Sequence, residues 1–174
     1  MALDRANIRK LLELLNAELR QTGIAGELYL VGGAVMCIVF NARESTKDLD
    51  AFFEPMEAVR EAARRVAIGH DFPEDWLNDA VKGFLSEKGD YKSFLELSNL
   101  KVMTASAEYL LAMKCLAMRL GAEFHDEADI RYLIRYLNID KYQVALDTIS
   151  RYYPLELIPQ KTLYALEEIL GGPS

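Results

Sequence analysis

Two aspartates separated by one residue, Asp48-Leu49-Asp50, open an apolar run that ends at Phe53. In an extended strand, successive side chains point to opposite faces, so Asp48 and Asp50 share a face with their stems roughly 6.6 Å apart. Carboxylates held that close repel unless something positive lies between them. A divalent cation meets the need, because Mg²⁺ is commonly held by one or two carboxylates while substrate phosphates fill other positions. Upstream, Leu28 to Val31 is a short apolar run that reads as a buried strand, and Gly32-Gly33 follows it directly. Glycine lets the backbone turn sharply and lets a phosphate approach the amides. A helix over Ala34 to Phe40 would aim its first amides at the same place. Ala34, Val35 and Met36 supply no further glycines at dinucleotide-fingerprint spacing, and no Gly-Lys-Ser/Thr follows, so neither that fingerprint nor a P-loop is present.

The elements that must position these groups are readable on both sides. Asp4 to Gln21 carries Ile8, Leu11, Leu12, Leu15 and Leu19 at helical spacing and ends at Gly23, a suitable C-terminal cap. Its expected role is to cover one face of a sheet. Further helices are expected from Pro55 to about Gly69 and around Glu74 to Leu85. Short strands are expected at Ser93 to Leu97 and Leu100 to Thr104. Ser106 can cap a helix running to about Leu120, with Glu108 in its first turn. Asp140 to Leu170 gives two more amphipathic helices with Tyr142, Tyr152, Tyr153 and Tyr164, an aromatic set suited to packing or to a partner surface.

Composition narrows the functional classes. The chain has 174 residues, 51% hydrophobic and 27% charged, which suits one domain or a small domain with a helical extension. Its formal charge of −7 argues against an extended, sequence-blind nucleic-acid surface, while leaving room for a local basic strip at a nucleotide site. No apolar run approaches the roughly 20 residues that span a bilayer, and MALDRANIRK lacks a signal-peptide core. Cys37 and Cys115 lie in apolar helical context and read as small buried hydrophobes, so a reducing cytoplasm is expected. His70 and His125 have no second ligand at metal spacing.

Taken together, Gly32-Gly33, Arg43, Ser45, Thr46 and Asp48-Leu49-Asp50 resemble the signature of the DNA polymerase β-like nucleotidyltransferase superfamily. Within it, the chain is most similar to AbiEii-type bacterial proteins found among toxin–antitoxin systems. The gap from 34 to 47 is slightly longer than the commonest version. The likeness continues through Asp75-Trp76-Leu77-Asn78-Asp79 and through Ala105-Ser106, Lys114, Ala117, Arg119, Asp126 and Asp129-Ile130. It covers about residues 28 to 137. It implies an α/β (α+β) nucleotidyltransferase fold: a small mixed β-sheet flanked by helices, with a nucleotidyltransferase core over 1–105 and a helical C-terminal part over 106–174.

Lys114 falls on a stripe with Leu110, Leu111, Ala117 and Met118, a charge on an otherwise apolar face that needs a partner. On the following helix Asp126, Asp129, Ile130, Leu133 and Leu137 share a stripe. Either Lys114 and Asp129 form a structural pair locking the two helices, or Lys114 reaches nucleotide phosphates with Asp129 or Asp126 orienting it. The resemblance favours the second. A two-ion site also needs a third carboxylate on a neighbouring strand. Glu96 in Phe94-Leu95-Glu96-Leu97 is the candidate, and it reads equally as a solvated strand residue. Trp76 reads as a core anchor rather than a base-stacking platform, and Asn78 as a ligand to substrate or a turn cap.

The expected function is Mg²⁺- or Mn²⁺-dependent transfer of a nucleoside monophosphate from an NTP to a hydroxyl on RNA or protein, within a toxin–antitoxin system. Asp48, Asp50 and Glu96 would hold the ions. Gly32 and Gly33 would cradle the triphosphate, Arg43 and Lys114 would offset its charge, and Thr46 and Asp129 would complete the nucleotide site. Two alternatives remain open: a degenerate nucleotide-binding or regulatory module, and a non-enzymatic antitoxin-like protein that binds a cognate partner.

Overall fold

The computed structural model describes residues 1–119 and 124–171, and the chain divides into two compact units. The first comprises 1–83 and 91–105, and the second 84–90 and 106–174. The sequence-based division placed 84–90 with the first part, whereas this segment clusters with the helices.

The first unit is a mixed α/β fold. In chain order it contains β1 (Leu3–Asp4), α1 (Arg5–Gln21), β2 (Gly26–Val31), α2 (Gly32–Ile38), β3 (Ser45–Thr46), β4 (Leu49–Glu54), α3 (Met56–His70), β5 (Leu77–Asn78), β6 (Tyr91–Glu96) and β7 (Leu100–Ala105). A short 3₁₀ turn, Ala80–Phe84, follows β5. Five strands form one sheet in the order β5-β4-β2-β7-β6. The β2–β4 and β6–β7 pairs are antiparallel, whereas β2–β7 and β4–β5 are parallel.

Alternation decides which face is covered. Leu28 and Leu30 of β2, Leu49, Ala51 and Phe53 of β4, and Leu100, Val102 and Thr104 of β7 are buried. The intervening Tyr29, Asp50, Phe52 and Met103 are only half-buried. Helices α1 and α3 pack on the first set and on each other, burying Ile8, Leu11, Leu12, Leu15 and Leu19 from α1 and Val59, Ala62, Ala63 and Val66 from α3. Helix α1 begins where the Asp4 carboxylate accepts the Asn7 amide at 2.8 Å, a side-chain N-cap. It ends at Thr22, and Gly23 follows in the left-handed region, as its sequence position suggested.

The expected helix around Glu74 to Leu85 does not form. Leu77 and Asn78 instead pair with Leu49 and Asp50, and Leu49 N–H donates to the Trp76 carbonyl at 2.7 Å. Trp76 is 1% exposed and its Nε1–H donates to the Ala63 carbonyl at 3.0 Å, so this stretch is anchored to α3. Tertiary pairing overrides the local helical pattern here. Asn78 caps the turn that follows, its Oδ1 accepting the Ala80 amide at 3.2 Å.

The second unit is helical: α4 (Ala107–Leu116), α5 (Asp126–Tyr136), α6 (Tyr142–Ser150) and α7 (Gln160–Leu170). Ser106 caps α4, its hydroxyl accepting the Tyr109 amide at 3.2 Å. The helix stops at Leu116, short of the expected Leu120, which lies outside the described residues. Arg119 N–H, which a longer helix would give to the Cys115 carbonyl, goes to Asp126 Oδ2 at 2.9 Å. The Cys115 carbonyl accepts the Thr162 hydroxyl at 2.9 Å instead. Segment 84–90 is held by side chains. Ser86 N–H donates to Tyr109 Oη at 2.9 Å, Ser86 Oγ–H to the Tyr152 carbonyl at 2.6 Å, and Tyr152 Oη–H to Asp90 Oδ1 at 3.0 Å. Tyr153 adds a hydroxyl bond to the Phe84 carbonyl. Tyr142, Tyr152 and Tyr153 are buried, whereas Tyr164 is exposed. Among the described residues no helix is long and apolar enough to cross a membrane.

Candidate functional site

Strand β4 starts at Leu49, so Asp50 lies within it and Asp48 immediately precedes it. Asp50 pairs with Val31, the last residue of β2, and Gly32 opens α2 one residue later. Gly32 has φ 68°, a conformation that L side chains rarely adopt, and a Cβ added there would lie 3.1 Å from Asp50 Oδ2. The glycine thus leaves the Asp50 carboxylate close against bare backbone.

Gly33 has a different neighbour set. A Cβ there would stand 2.6 Å from Arg43 Nη1 and 2.8 Å from Thr46 Oγ1. The guanidinium and the hydroxyl therefore lie over the second glycine. Thr46 is fixed by the short antiparallel pair of β3 with β1, where it opposes Leu3, and its hydroxyl donates to the Asp48 carbonyl at 3.2 Å. The loop that carries Arg43 folds back on α2, with Ala42 N–H donating to the Met36 carbonyl at 2.9 Å and the Cys37 thiol approaching the Glu44 carbonyl at 3.7 Å. Burial pushes the Cys37 thiol up, so it stays protonated as a small core residue. One end of the β2–β4 pair thereby gathers Gly32, Gly33, Arg43, Thr46 and Asp50, with Asp48 tied to Thr46.

Glu96 is not part of this group. It lies at the end of β6, opposite Lys101, in a cross-strand row with Glu27 and Glu54. Asp50 is four residues along β4 from Glu54, and β2 and β7 lie between β4 and β6. By ordinary strand spacings Glu96 is about 14 Å across the sheet and about 13 Å along it from Asp50. Its carboxylate is 69% exposed and sits 3.6 Å from the Lys101 ammonium, a solvated pair of small energetic weight. It does not complete the carboxylate set expected from the sequence. Among the described residues, no group of three or more His, Cys, Asp or Glu side chains is placed to hold a metal ion.

Lys114, in the second unit, is 9% exposed with its ammonium 2.8 Å from Asp129 Oδ2 and 3.4 Å from Asp126 Oδ1. Both aspartates come from α5, so the lysine bridges α4 to α5. This is the arrangement of a locking pair, with two carboxylates offsetting one buried cation. Arg119 Nε also reaches Asp126 Oδ2 at 2.9 Å. Burial raises the Asp126 carboxyl, but its bonds from Arg119 and the charge of Lys114 outweigh burial and hold it below the usual carboxylate range. His70 is the last residue of α3, and His125 immediately precedes α5.

Sequence reasoning passed over Phe52 and Tyr29. They oppose each other across β2–β4 on the face that also bears Asp50. The alternation that aligned Asp48 with Asp50 would have found them.

Comparison with family models, with curated proteins and with solved structures gives no match. The chemistry of the site therefore rests on its own donors. The residues here that could take part in holding a cation are Asp50, whose carboxylate lies beside the glycine turn, and Asp48, which immediately precedes β4. They do not fit a cation held by protein ligands alone.

Proposed function

We propose that this chain has a nucleotidyltransferase-type fold and binds a nucleoside triphosphate with Mg²⁺ at the β2–β4 end. There a hydroxyl on RNA or protein attacks the α-phosphate, the bond from it to the β-phosphate breaks, pyrophosphate leaves and the hydroxyl proton passes to solvent, so that a nucleoside monophosphate is transferred. The observation that carries this reading is the close approach of Asp50 to Gly32, with Arg43 and Thr46 over Gly33. A triphosphate is a run of negative charge. It needs backbone that can come close, a cation from the protein, and a metal ion that the two aspartates attract. Asp48 and Asp50 hold the ion, the Gly32-Gly33 turn admits the phosphates, and Arg43 offsets their charge. A bound magnesium ion would supply charge neutralisation at the phosphates, and the chain's own residues contribute mainly positioning and electrostatics. A role in a toxin–antitoxin system is supported by the resemblance of the Gly-Gly and Asp-Leu-Asp pattern.

A second reading, nucleotide binding without turnover, is favoured by one specific observation. The third carboxylate of a two-ion site has no occupant among the described residues, because Glu96 stands at the far corner of the sheet.

Isothermal calorimetry with each NTP and Mg²⁺, run on the wild type and on Asp48→Ala/Asp50→Ala, tests both readings. Ion-dependent binding that the double substitution abolishes supports the site. Transfer of labelled NMP to RNA or protein selects the enzyme, and ion-dependent binding without transfer selects the second reading. No ion-dependent binding sinks both.

A further inference from the structure

The face of the sheet that bears Asp50 continues as a run of aromatic rings. Phe52 is two residues beyond Asp50 on the same side of β4, about 7 Å along the strand. Tyr29 opposes Phe52 with ring centroids 5.9 Å apart, and Tyr91 of β6 meets Tyr29 edge-on at 5.0 Å. All three are half-buried, unlike Phe53 on the opposite face, which is 2% exposed. The Tyr29 hydroxyl is tethered to its own strand, donating to Glu27 Oε2 at 2.7 Å. On the other side of β4 the edge strand β5 pairs with Leu49 and Asp50, and among the described residues no strand flanks Phe52 there.

From this juxtaposition we infer that Phe52, flanked by Tyr29, is the stacking platform for the base of the nucleotide whose phosphates sit at Asp50. The inference rests on the cation–nucleotide reading above. It adds which side chain meets the base, and by what kind of contact. The interval from Asp50 to Phe52 is close to the span of a ribose between phosphate and base. Every base has a π face, so an aromatic ring at that distance strengthens binding without reading hydrogen-bond edges. Tyr29 flanks Phe52 from the neighbouring strand with the two rings tilted at 40°, and Tyr91 in turn packs edge-on against Tyr29. This limits the ordering cost of stacking.

The test compares Mg-ATP with Mg-tripolyphosphate by calorimetry on the full chain. The platform predicts that ATP binds tighter than tripolyphosphate by roughly tenfold or more. Phe52→Ala should bring ATP down to the level of tripolyphosphate and leave tripolyphosphate binding unchanged, which also shows that the variant is folded. Phe52→Trp should keep the preference, and its added fluorescence should be quenched by ATP and not by tripolyphosphate. Trp76, buried beneath α3, serves as a constant background. If Phe52→Ala does not fold, the quenching of Phe52→Trp decides. Equal wild-type affinities for the two ligands, an ATP preference that survives Phe52→Ala, or absence of ATP-specific quenching overturns the platform while leaving the phosphate site standing. Failure of both ligands to bind overturns the two readings together.

Discussion

Gly32 and Asp50 meet where β2 gives way to α2, so that a single methyl on the glycine would lie 3.1 Å from the carboxylate. The same residue has φ 68°. Gly32→Ala therefore combines backbone strain with a displaced carboxylate. The expected cost is about 1–2 kcal/mol in chemical denaturation, the usual penalty for a side chain in the left-handed region. Cation-dependent nucleotide binding should fall with it. Unchanged stability together with unchanged binding would remove the glycine turn from the site.

Gly33→Ala should act on binding and on stability. Its added Cβ meets Arg43 Nη1 at 2.6 Å and Thr46 Oγ1 at 2.8 Å. The arginine tip is long enough to swing aside, but Thr46 is short, buried and held by the β1–β3 pair, so an overpacking cost of about 1–3 kcal/mol is expected in chemical denaturation. Nucleotide affinity should drop to about that of Arg43→Ala, because both substitutions remove the guanidinium from above the turn. Calorimetry on the two variants side by side checks this.

Lys114 carries a stability prediction for the helical unit. Lys114→Met leaves Asp129 buried without its ammonium, and loss of one partner of a buried pair costs about 3–5 kcal/mol. Adding Asp129→Leu should recover most of that loss, since Asp126 retains Arg119.

Acid should act through the same cluster. Asp126 has its folded-state pKa held below the usual range, so its contribution is present above the unfolded carboxylate pKa and disappears as pH falls through the lower folded value. Denaturation midpoints from neutral pH down to below about 4 should decline for the wild type. They should decline less steeply for Asp126→Asn, from a lower starting point.

Tyr29 titrates at the other extreme. The hydrogen bond to Glu27, then burial, then the charges of Glu27 and Glu54 push it up to about 12. The folded state thus holds the phenolic proton more tightly than the unfolded chain. Its stabilisation is complete below the unfolded pKa of about 10 and is lost as pH rises toward the folded value. Ultraviolet titration should show a tyrosine ionising late, and Glu27→Gln should bring that step earlier.

Strong periodicity made most of this architecture legible. The Ile8-to-Leu19 stripe, the Leu28-to-Val31 run, the β6 and β7 strands and the Ser106 cap each carry a local signal that agrees with their final environment. Residues 74–85 misled because their pattern suits a helix, while the decisive interactions, with Leu49, Asp50 and Ala63, come from elsewhere in the chain. Helix α4 stops at Leu116, short of the expected Leu120, for a similar reason, since Asp126 and Thr162 claim groups that a longer helix would use. At the site, Gly32, Gly33, Arg43, Thr46 and Asp50 fall within one short window of the chain, and the structure brings them to one end of the β2–β4 pair. Glu96 was chosen for its residue type and strand, whereas strand order and register, which put it at the opposite corner, are not encoded in any short window.

The β6–β7 hairpin departs from the helical unit at Asp90 and re-enters it at Ser106. These two residues are bound to each other, backbone amide to carbonyl at 3.0 Å and hydroxyl to carboxylate at 2.5 Å. An excursion whose ends touch is the connectivity of an insertion, because closing the gap behind it requires almost no rearrangement. Segment 84–90 and the helices that follow Ser106 thus amount to one module, interrupted in sequence by two strands that belong to the sheet of the first unit. Cutting the chain at Ser106 would leave that module without Ser86 and Asp90, whereas joining Asp90 directly to Ser106 would leave it whole.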